Sequence, residues 1–443
     1  MPLGALAFKG RSALPSLLSP YRSSPVRAHS STNHKATTPA GRLSAPPPSQ
    51  AAWALSGFTR QLATRRSSMA EPQAENGSTL DGQAPESTDF ANYFCTYGFI
   101  YHQKDMLEDH KRTGAYFNAV MQNKKQFEGK VVLDVGTGSG ILAVFAAKAG
   151  AKKVYAVEAT DMAKFARSVV ETNGLSDVVT VIQGMVETVK LPEKVDIIIS
   201  EWMGYFLLRE SMLDSVLLAR DRFLKPGGSL YPSHAHMYYA PIRTNTSERR
   251  RDEFHGSKEG WEEFNTDMKT LYGVDLGCLT EAYHKEQRDY YIDSSAWQDV
   301  HPSQVVGQPM CFKSYDLNKV TIEEIATTIK AHCSLPIMEP GHVDAFCAWF
   351  DVEFCGSEEN PADEQVLLTT APDATGATHW GQQTFFLNPP LECGAGDSIR
   401  MTIEINRKKE NHRLMSVLVK YKLQGTSQAA KMATEVSRHF HIE

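Results

Sequence analysis

Two patterns of apolar spacing divide most of the chain. In its middle, residues 130–135, 154–157, 178–183 and 195–199 are short, nearly unbroken apolar runs rich in β-branched side chains, as expected of parallel strands buried on both faces. Between and after them, apolar residues return at helical spacing. Ile141, Leu142, Phe145 and Ala146 share one face, and Met212, Leu213, Val216 and Leu217 share another until Lys225-Pro226-Gly227-Gly228 stops the helix. Residues 90–120 are also expected to be helical, with Tyr93, Phe94, Tyr97, Met106, Leu107, Tyr116, Phe117 and Val120 as the apolar or aromatic positions. Strand and helix in alternation predict an α/β domain over 90–231. Past Tyr231-Pro232 the period becomes two. Residues 235–240, 345–354, 383–387 and 398–405 alternate between turns of Pro, Gly, Asn and Asp, which predicts an antiparallel β-domain over 232–443. A charged insertion at 243–272 carries Phe254, Trp261 and Phe264, with Arg249, Arg250 and Arg251 in a row.

The first 68 residues fit neither pattern. They contain no Asp or Glu, nine Lys or Arg, and much Ser, Pro and Ala, so they will not form a core. Two readings stay open: a transit-like segment for an organelle, or a stretch ahead of a true start at Met69, where a polar linker over 69–89 begins. Without them, 37 of the 46 basic residues face all 52 acidic ones, a net charge of −15 for residues 69–443. An acidic body disfavours direct nucleic-acid binding and favours basic partners such as Arg-rich tails. No apolar run approaches the ~18–20 residues of a membrane-spanning helix. The seven cysteines (Cys95, Cys278, Cys311, Cys333, Cys347, Cys355, Cys393) are scattered, odd in number and without a Cys-x-x-Cys pair. That argues against a disulfide framework and against a zinc site, and predicts a reducing compartment and no metal.

Candidate chemistry lies in two loops that follow strands. Asp134-x-Gly136-x-Gly138-x-Gly140 stands between a strand and a helix, where glycines let the backbone approach a nucleotide cofactor closely. A dehydrogenase loop would have its third glycine at 141, and Ile141 stands there. Glu158 ends the next strand, where an acid can accept ribose hydroxyls. The second loop, Ser200-Glu201-Trp202-Met203-Gly204-Tyr205-Phe206-Leu207-Leu208-Arg209-Glu210, leaves the carboxyl end of a strand, the usual ligand edge of an α/β sheet. Two carboxylates converging on apolar ground repel one another unless a cation sits between them. A guanidinium, planar and permanently charged, suits that gap.

The glycine loop resembles motif I of class I S-adenosylmethionine methyltransferases, and residues 200–210 resemble the double-glutamate loop of protein arginine methyltransferases, from Ser-Glu-Trp-Met-Gly-Tyr to the closing Glu. Thr378-His379-Trp380 matches the Thr-His-Trp loop of that family's β-barrel, and Met106-Leu107-Glu108-Asp109-His110-Lys111-Arg112 matches its Met-Leu-x-Asp-x-x-Arg segment. The resemblance covers most of residues 90–443. It implies a Rossmann-like methyltransferase domain followed by an antiparallel β-barrel, with a helical dimerisation arm at about 244–270 and a homodimer. It also implies S-adenosylmethionine as cofactor, held by Asp134, Gly136 and Gly138, by Glu158 on the ribose, Glu187 on the adenine amino group, Arg112 on the carboxylate, and Met106. By the same resemblance Glu201 and Glu210 clamp the target guanidinium, and either Glu201 or an Asp109–His379 pair removes the proton. Met106 and Met212 match the methionines of members that form asymmetric dimethylarginine, where symmetric-forming members carry Phe at the first; Tyr97 and Trp380 join them in setting specificity. Many members have His three residues before the first Met, where this chain has Gln103 beside His102. Arginine-bearing proteins are the implied substrates, with histone tails and Gly-Arg-rich segments foremost. Nucleus and cytoplasm are the expected compartments, or the chloroplast if residues 1–68 act as a transit peptide. The rival reading is a small-molecule methyltransferase sharing motif I, which predicts neither the double-glutamate loop nor the barrel.

Overall fold

A computed structural model describes residues 93–442 of the chain, and the expectations for residues 1–68 and 69–89 lie outside these described residues. The expected helix over 90–120 is in fact three pieces: a short helical segment at 93–97, α1 (Ile100–Glu108) and α2 (His110–Met121). Asp109 makes the second break, because its side chain accepts the Arg112 amide at 3.0 Å and caps α2. The apolar runs form β1 (Val131–Val135), β2 (Lys153–Glu158), β3 (Val179–Gln183), β4 (Val195–Ile199) and β5 (Leu224–Tyr231), with α3 (Ile141–Lys148), α4 (Met162–Thr172) and α5 (Met212–Phe223) among them.

These strands make one parallel sheet in the order β3-β2-β1-β4-β5. Every residue of β1 is buried, which accounts for a run that is apolar except at Asp134. The strand order reverses between β1 and β4, so the loops leaving those two strands flank the crevice where such sheets hold ligands. One point departs from expectation. Lys225-Pro226-Gly227-Gly228 does not merely stop α5; the helix ends at Phe223 and the four residues are already part of β5. Pro226 is tolerated because β5 is the sheet's edge.

The second half contains β6 (His234–Ile242), α6 (Thr246–Tyr272), α7 (Thr280–Tyr291), β7 (Ala296–Gln298), β8 (Met310–Asp316), β9 (Ile329–Pro336), β10 (Gly341–Gly356), β11 (Pro361–Thr369), β12 (Gln382–Cys393), β13 (Ser398–Arg407), β14 (Met415–Gln424) and β15 (Val436–Ile442). Two antiparallel sheets result, β7-β12-β10-β6-β8 with β11 beside β10, and β15-β14-β13-β9. Bridges at Ser294–His441 and Gly307–Ile337 lie outside the named sheets' strand pairings. Ile399, Met401, Ile403 and Ile405 point inward and alternate with polar outward residues, the signature of a sheet with one face in the core. That core is continuous with the parallel half. Tyr116 meets Phe354 edge-on at 4.9 Å, and Phe206 of the double-acid loop packs against Tyr239 and Phe385.

The segment expected as the arm belongs to a helical hairpin, in which α6 packs against α7 and the pair extends to Tyr291. Only Ser247 is buried in α6 and nothing is buried in α7, so neither helix has the apolar stripe that would reveal it in sequence. Trp261 faces the partner helix of the hairpin. It stacks on Tyr283 of α7 at 4.4 Å and donates from Nε1 to Thr280 Oγ1 at 2.9 Å, whereas Phe264 is 44% exposed. Trp261→Ala should therefore loosen the hairpin by about 0.5–1.5 kcal/mol, the scale of a lost aromatic pair. Hydrogen exchange should show amides of α6 and α7 exchanging roughly 2–13 times faster, with β1 unchanged.

Candidate active site

The glycine loop after β1 turns through three left-handed positions, Gly136 (φ 71°), Gly138 (φ 54°) and Gly140 (φ 87°), which side chains rarely adopt. Three side chains hold it. Glu158 accepts the Gly138 amide at 2.9 Å through one oxygen, and the Thr160 amide and hydroxyl at 2.8 and 2.7 Å through the other. Gln103 accepts the Ser139 amide and donates to the Tyr97 carbonyl, both at 3.2 Å, so it ties the loop to the N-terminal helices. Nothing in the sequence indicated this role for Gln103. Asp134 braces the loop from beneath. It is fully buried, accepts the Thr137 hydroxyl at 2.5 Å and is not among the residues lining the cavity, so it supports the loop from within the sheet.

The double-acid loop after β4 has an unusual backbone. Phe206, Leu207, Glu210 and Ser211 all have φ between 52° and 80°, and they are the only non-glycine residues with positive φ among the described residues. Such positions cost about 1–2 kcal/mol each and persist only where the surroundings impose them. Here the β-domain imposes them. The Glu210 amide donates to the Arg413 carbonyl at 3.0 Å, the Ser211 hydroxyl to the His412 carbonyl at 2.7 Å, and Trp380 Nε1 to the Met203 carbonyl at 2.9 Å. The segment 411–414 was not anticipated, because its contribution is mostly backbone carbonyls that any sequence supplies.

Glu201 and Glu210 are brought to one wall, each with its own partners. Arg112 Nη2 donates to Glu201 at 2.5 Å while Nη1 donates to the Met106 carbonyl at 2.8 Å. Glu210 accepts the Tyr97 hydroxyl at 2.9 Å and lies 3.5 Å from Arg209. Burial pushes the Glu210 carboxyl up, with the charge of Glu201 adding to it, against the Tyr97 hydrogen bond and Arg209. His379 Nδ1 and its amide both meet Asp109 Oδ2, at 2.8 and 2.9 Å. Burial alone would raise the Asp109 carboxyl, but His379 and the Arg112 amide outweigh it and hold it at about 2.

Two adjoining cavities surround these groups, of about 390 and 280 Å³. The larger runs from Met185 and Glu187 past Glu158 and the glycine loop to Arg112 and Met212. The smaller opens past His102, Tyr205, His379 and Trp380. Tyr97, Met106, Glu201 and Glu210 stand on the wall common to both. Arg112 Nε and Glu201 Oε1 are buried there without a hydrogen-bond partner. With acids at Glu158 and Glu187 and a guanidinium at the other end, the larger cavity fits a nucleoside carrying a free amino-acid carboxylate.

Residues 93–233 match the family model of the ribosomal protein L11 methyltransferase (PrmA), and residues 234–428 match the arginine methyltransferase oligomerization subdomain. The chain is 50% identical over 356 residues to the protein arginine N-methyltransferase PRMT10 of Arabidopsis thaliana, covering 78% of this chain and 93% of that protein. A crystal structure of Arabidopsis thaliana protein arginine methyltransferase 10, described as uniquely open, superposes with a TM-score of 0.76 at 49% identity, covering 79% of this chain and all of that one. The Trypanosoma brucei PRMT1 enzyme–prozyme heterotetramer with AdoHcy gives 0.65 at 32% identity, over 79% of this chain and 100% of that chain.

Burial pushes the Asp134 carboxyl up to about 7, despite the opposing Thr137 hydrogen bond, against 3.8 for an ordinary Asp. Between those values the folded chain holds a proton that the unfolded chain has released, so this contribution to stability is full below about pH 3.8 and is lost as pH rises through about 7. Asp134→Asn should flatten that slope. Denaturant unfolding across this pH range checks it; an unchanged slope would place the proton elsewhere.

Proposed function

The chain belongs to the protein arginine N-methyltransferase family and methylates arginine in proteins with S-adenosylmethionine, and from this premise we propose that its final product is asymmetric dimethylarginine. The observation that carries the proposal is the placement of Met106 and Met212 on the wall of the larger cavity that also holds Glu201 and Glu210. Slender, flexible thioether side chains there leave room for a nitrogen that already bears a methyl group to turn back toward the donor. The cofactor, when bound, supplies an electrophilic sulfonium methyl. Arg112, Glu158, Glu187 and the glycine loop are the residues that would hold it, with Gln103 and Asp134 keeping the loop in shape.

A guanidinium is a poor nucleophile because its lone pairs are delocalised over a cation. Glu201 and Glu210 would draw that charge toward two of its nitrogens and leave electron density on the third, an electrostatic contribution made by groups fixed in advance. Glu201 currently holds Arg112, and its free Oε1 is the acceptor available to a substrate nitrogen. Asp109 fixes His379 through Nδ1, which leaves Nε2 to exchange a proton; Glu201 is the other candidate for that task. The net charge of −15 over residues 69–443 favours basic tails such as those of histones. Assembly as a homodimer is the oligomer that best suits the arm, with exposed Phe264 as an anchor on its surface.

Full-length protein with labelled cofactor should modify a Gly-Arg-rich peptide and leave its Lys-substituted twin unlabelled. Fragmentation mass spectrometry of the product should show the neutral loss of dimethylamine that marks the asymmetric isomer; only symmetric product would overturn the proposal. Glu201→Gln should lower kcat on the order of 10²–10³-fold, the usual effect of losing one preorganised electrostatic partner, while cofactor binding by calorimetry survives.

A further inference from the structure

The outer face of the β-domain carries a second cluster of chemistry-bearing side chains, away from both cavities. Ala235 and Met237 of β6 and Val352 and Phe354 of β10 are buried, so His234, His236, Glu353 and Cys355 fall on the opposite, outward face. Strand register brings them together. His234 lies opposite Glu353 of β10 on one side and Asp316 of β8 on the other. A ring nitrogen of His234, a carboxylate oxygen of Glu353 and the Cys355 sulfur all lie within 4.8 Å of one another. We infer that His234, Glu353 and Cys355 form a binding site for a borderline-soft divalent cation, with zinc as the best match, and that His236 orients Glu353 from behind.

The donor set selects the metal. One thiol, one imidazole and one carboxylate suit zinc and exclude the hard cations that prefer oxygen alone. Ligands about 2.0–2.3 Å from a tetrahedral ion stand about 3.3–3.8 Å from one another. Cys355 Sγ is 3.5 Å from Glu353 Oε2, already in that range. The supporting groups are present as well. His236 Nδ1 is engaged by the Ser314 hydroxyl at 2.9 Å, which turns its Nε2 to Glu353 Oε1 at 3.4 Å, and that buried Nε2 has no hydrogen-bond partner. The Ser233 hydroxyl meets His234 Nδ1 at 3.0 Å and accepts the Cys355 amide at 2.9 Å. With three protein ligands the fourth position is open to water. A search for Cys-x-x-Cys pairs does not find such a site, because its ligands come from two strands more than a hundred residues apart and only the sheet register unites them. The ion would fasten β6 to β10 just beyond Tyr231, where the chain passes from the parallel sheet to the β-domain.

Cobalt(II) tests this on the full chain under metal-free, reducing conditions. One ion per chain should bind and give a thiolate-to-cobalt band in the near ultraviolet together with visible bands of tetrahedral intensity, and zinc should displace it. Cys355→Ser should remove the near-ultraviolet band, His236→Ala should weaken binding about 10–100-fold as loss of an orienting partner does, and Cys278→Ser, at an exposed cysteine of the helical hairpin, should change neither. X-ray absorption of the zinc-loaded wild type should show one sulfur among nitrogen and oxygen neighbours, which keeps the question decidable if a variant does not fold. No binding by the wild type, a charge-transfer band that survives Cys355→Ser, or a zinc shell with no sulfur or several would overturn the inference.

Discussion

Two carboxylates on one largely buried wall each need a positive partner or a donor, and much of the structure is arranged to meet that need for Glu201 and Glu210. Arg112 reaches Glu201 from α2, and Tyr97 reaches Glu210 from the short helical segment ahead of α1. Neither partner would be in range without the break at Asp109. That one side chain caps α2 through the Arg112 amide and holds His379 of the β-domain through two further hydrogen bonds. Asp109 thus links the cofactor segment, the double-acid loop and the β-domain, and those same hydrogen bonds hold its carboxyl well below the usual carboxylate range.

The strained backbone of the double-acid loop belongs to the same arrangement. Four left-handed residues at about 1–2 kcal/mol each would not survive in a free loop. Here the β-domain accepts hydrogen bonds from Glu210 and Ser211, donates one to Met203 through Trp380, and takes the Phe206 ring into its core. The β-domain is therefore more than a docking platform. It determines the shape of a loop that belongs, by sequence, to the parallel half.

Much of this was legible in the sequence, and what was not has physical reasons. Fully buried strands announce themselves by composition, and a glycine loop between strand and helix has few other uses, so the parallel sheet and its ligand edge followed from the pattern. Glu201 and Glu210 stood out as an acid pair on an apolar loop, whereas Asp109 and His379 came through resemblance; the structure places Glu201, Glu210 and His379 on cavity walls, with Asp109 bonded to His379. The burial of Asp134 beneath the loop could not be read, because a motif position does not say which side of the loop an acid faces. The second helix of the hairpin was hidden because α6 and α7 bury almost nothing within this chain. Gln103 and the 411–414 segment act largely through backbone atoms of their partners or their own, and backbone contacts leave no trace in side-chain type.

The same reasoning separates the two ends of the active-site wall. Arg112 is held by Glu201, yet its Nε and Glu201 Oε1 both remain without partners in a buried setting, where an unmet hydrogen bond costs about 1–3 kcal/mol. A ligand carboxylate on the Arg112 side and a guanidinium on the Glu201 side would satisfy both atoms, and neither ligand alone would. Each ligand would then improve the site for the other, since drawing Arg112 toward a carboxylate frees Glu201 for a cation. On the proposed reading, cofactor and substrate affinity would be coupled through this one ion pair.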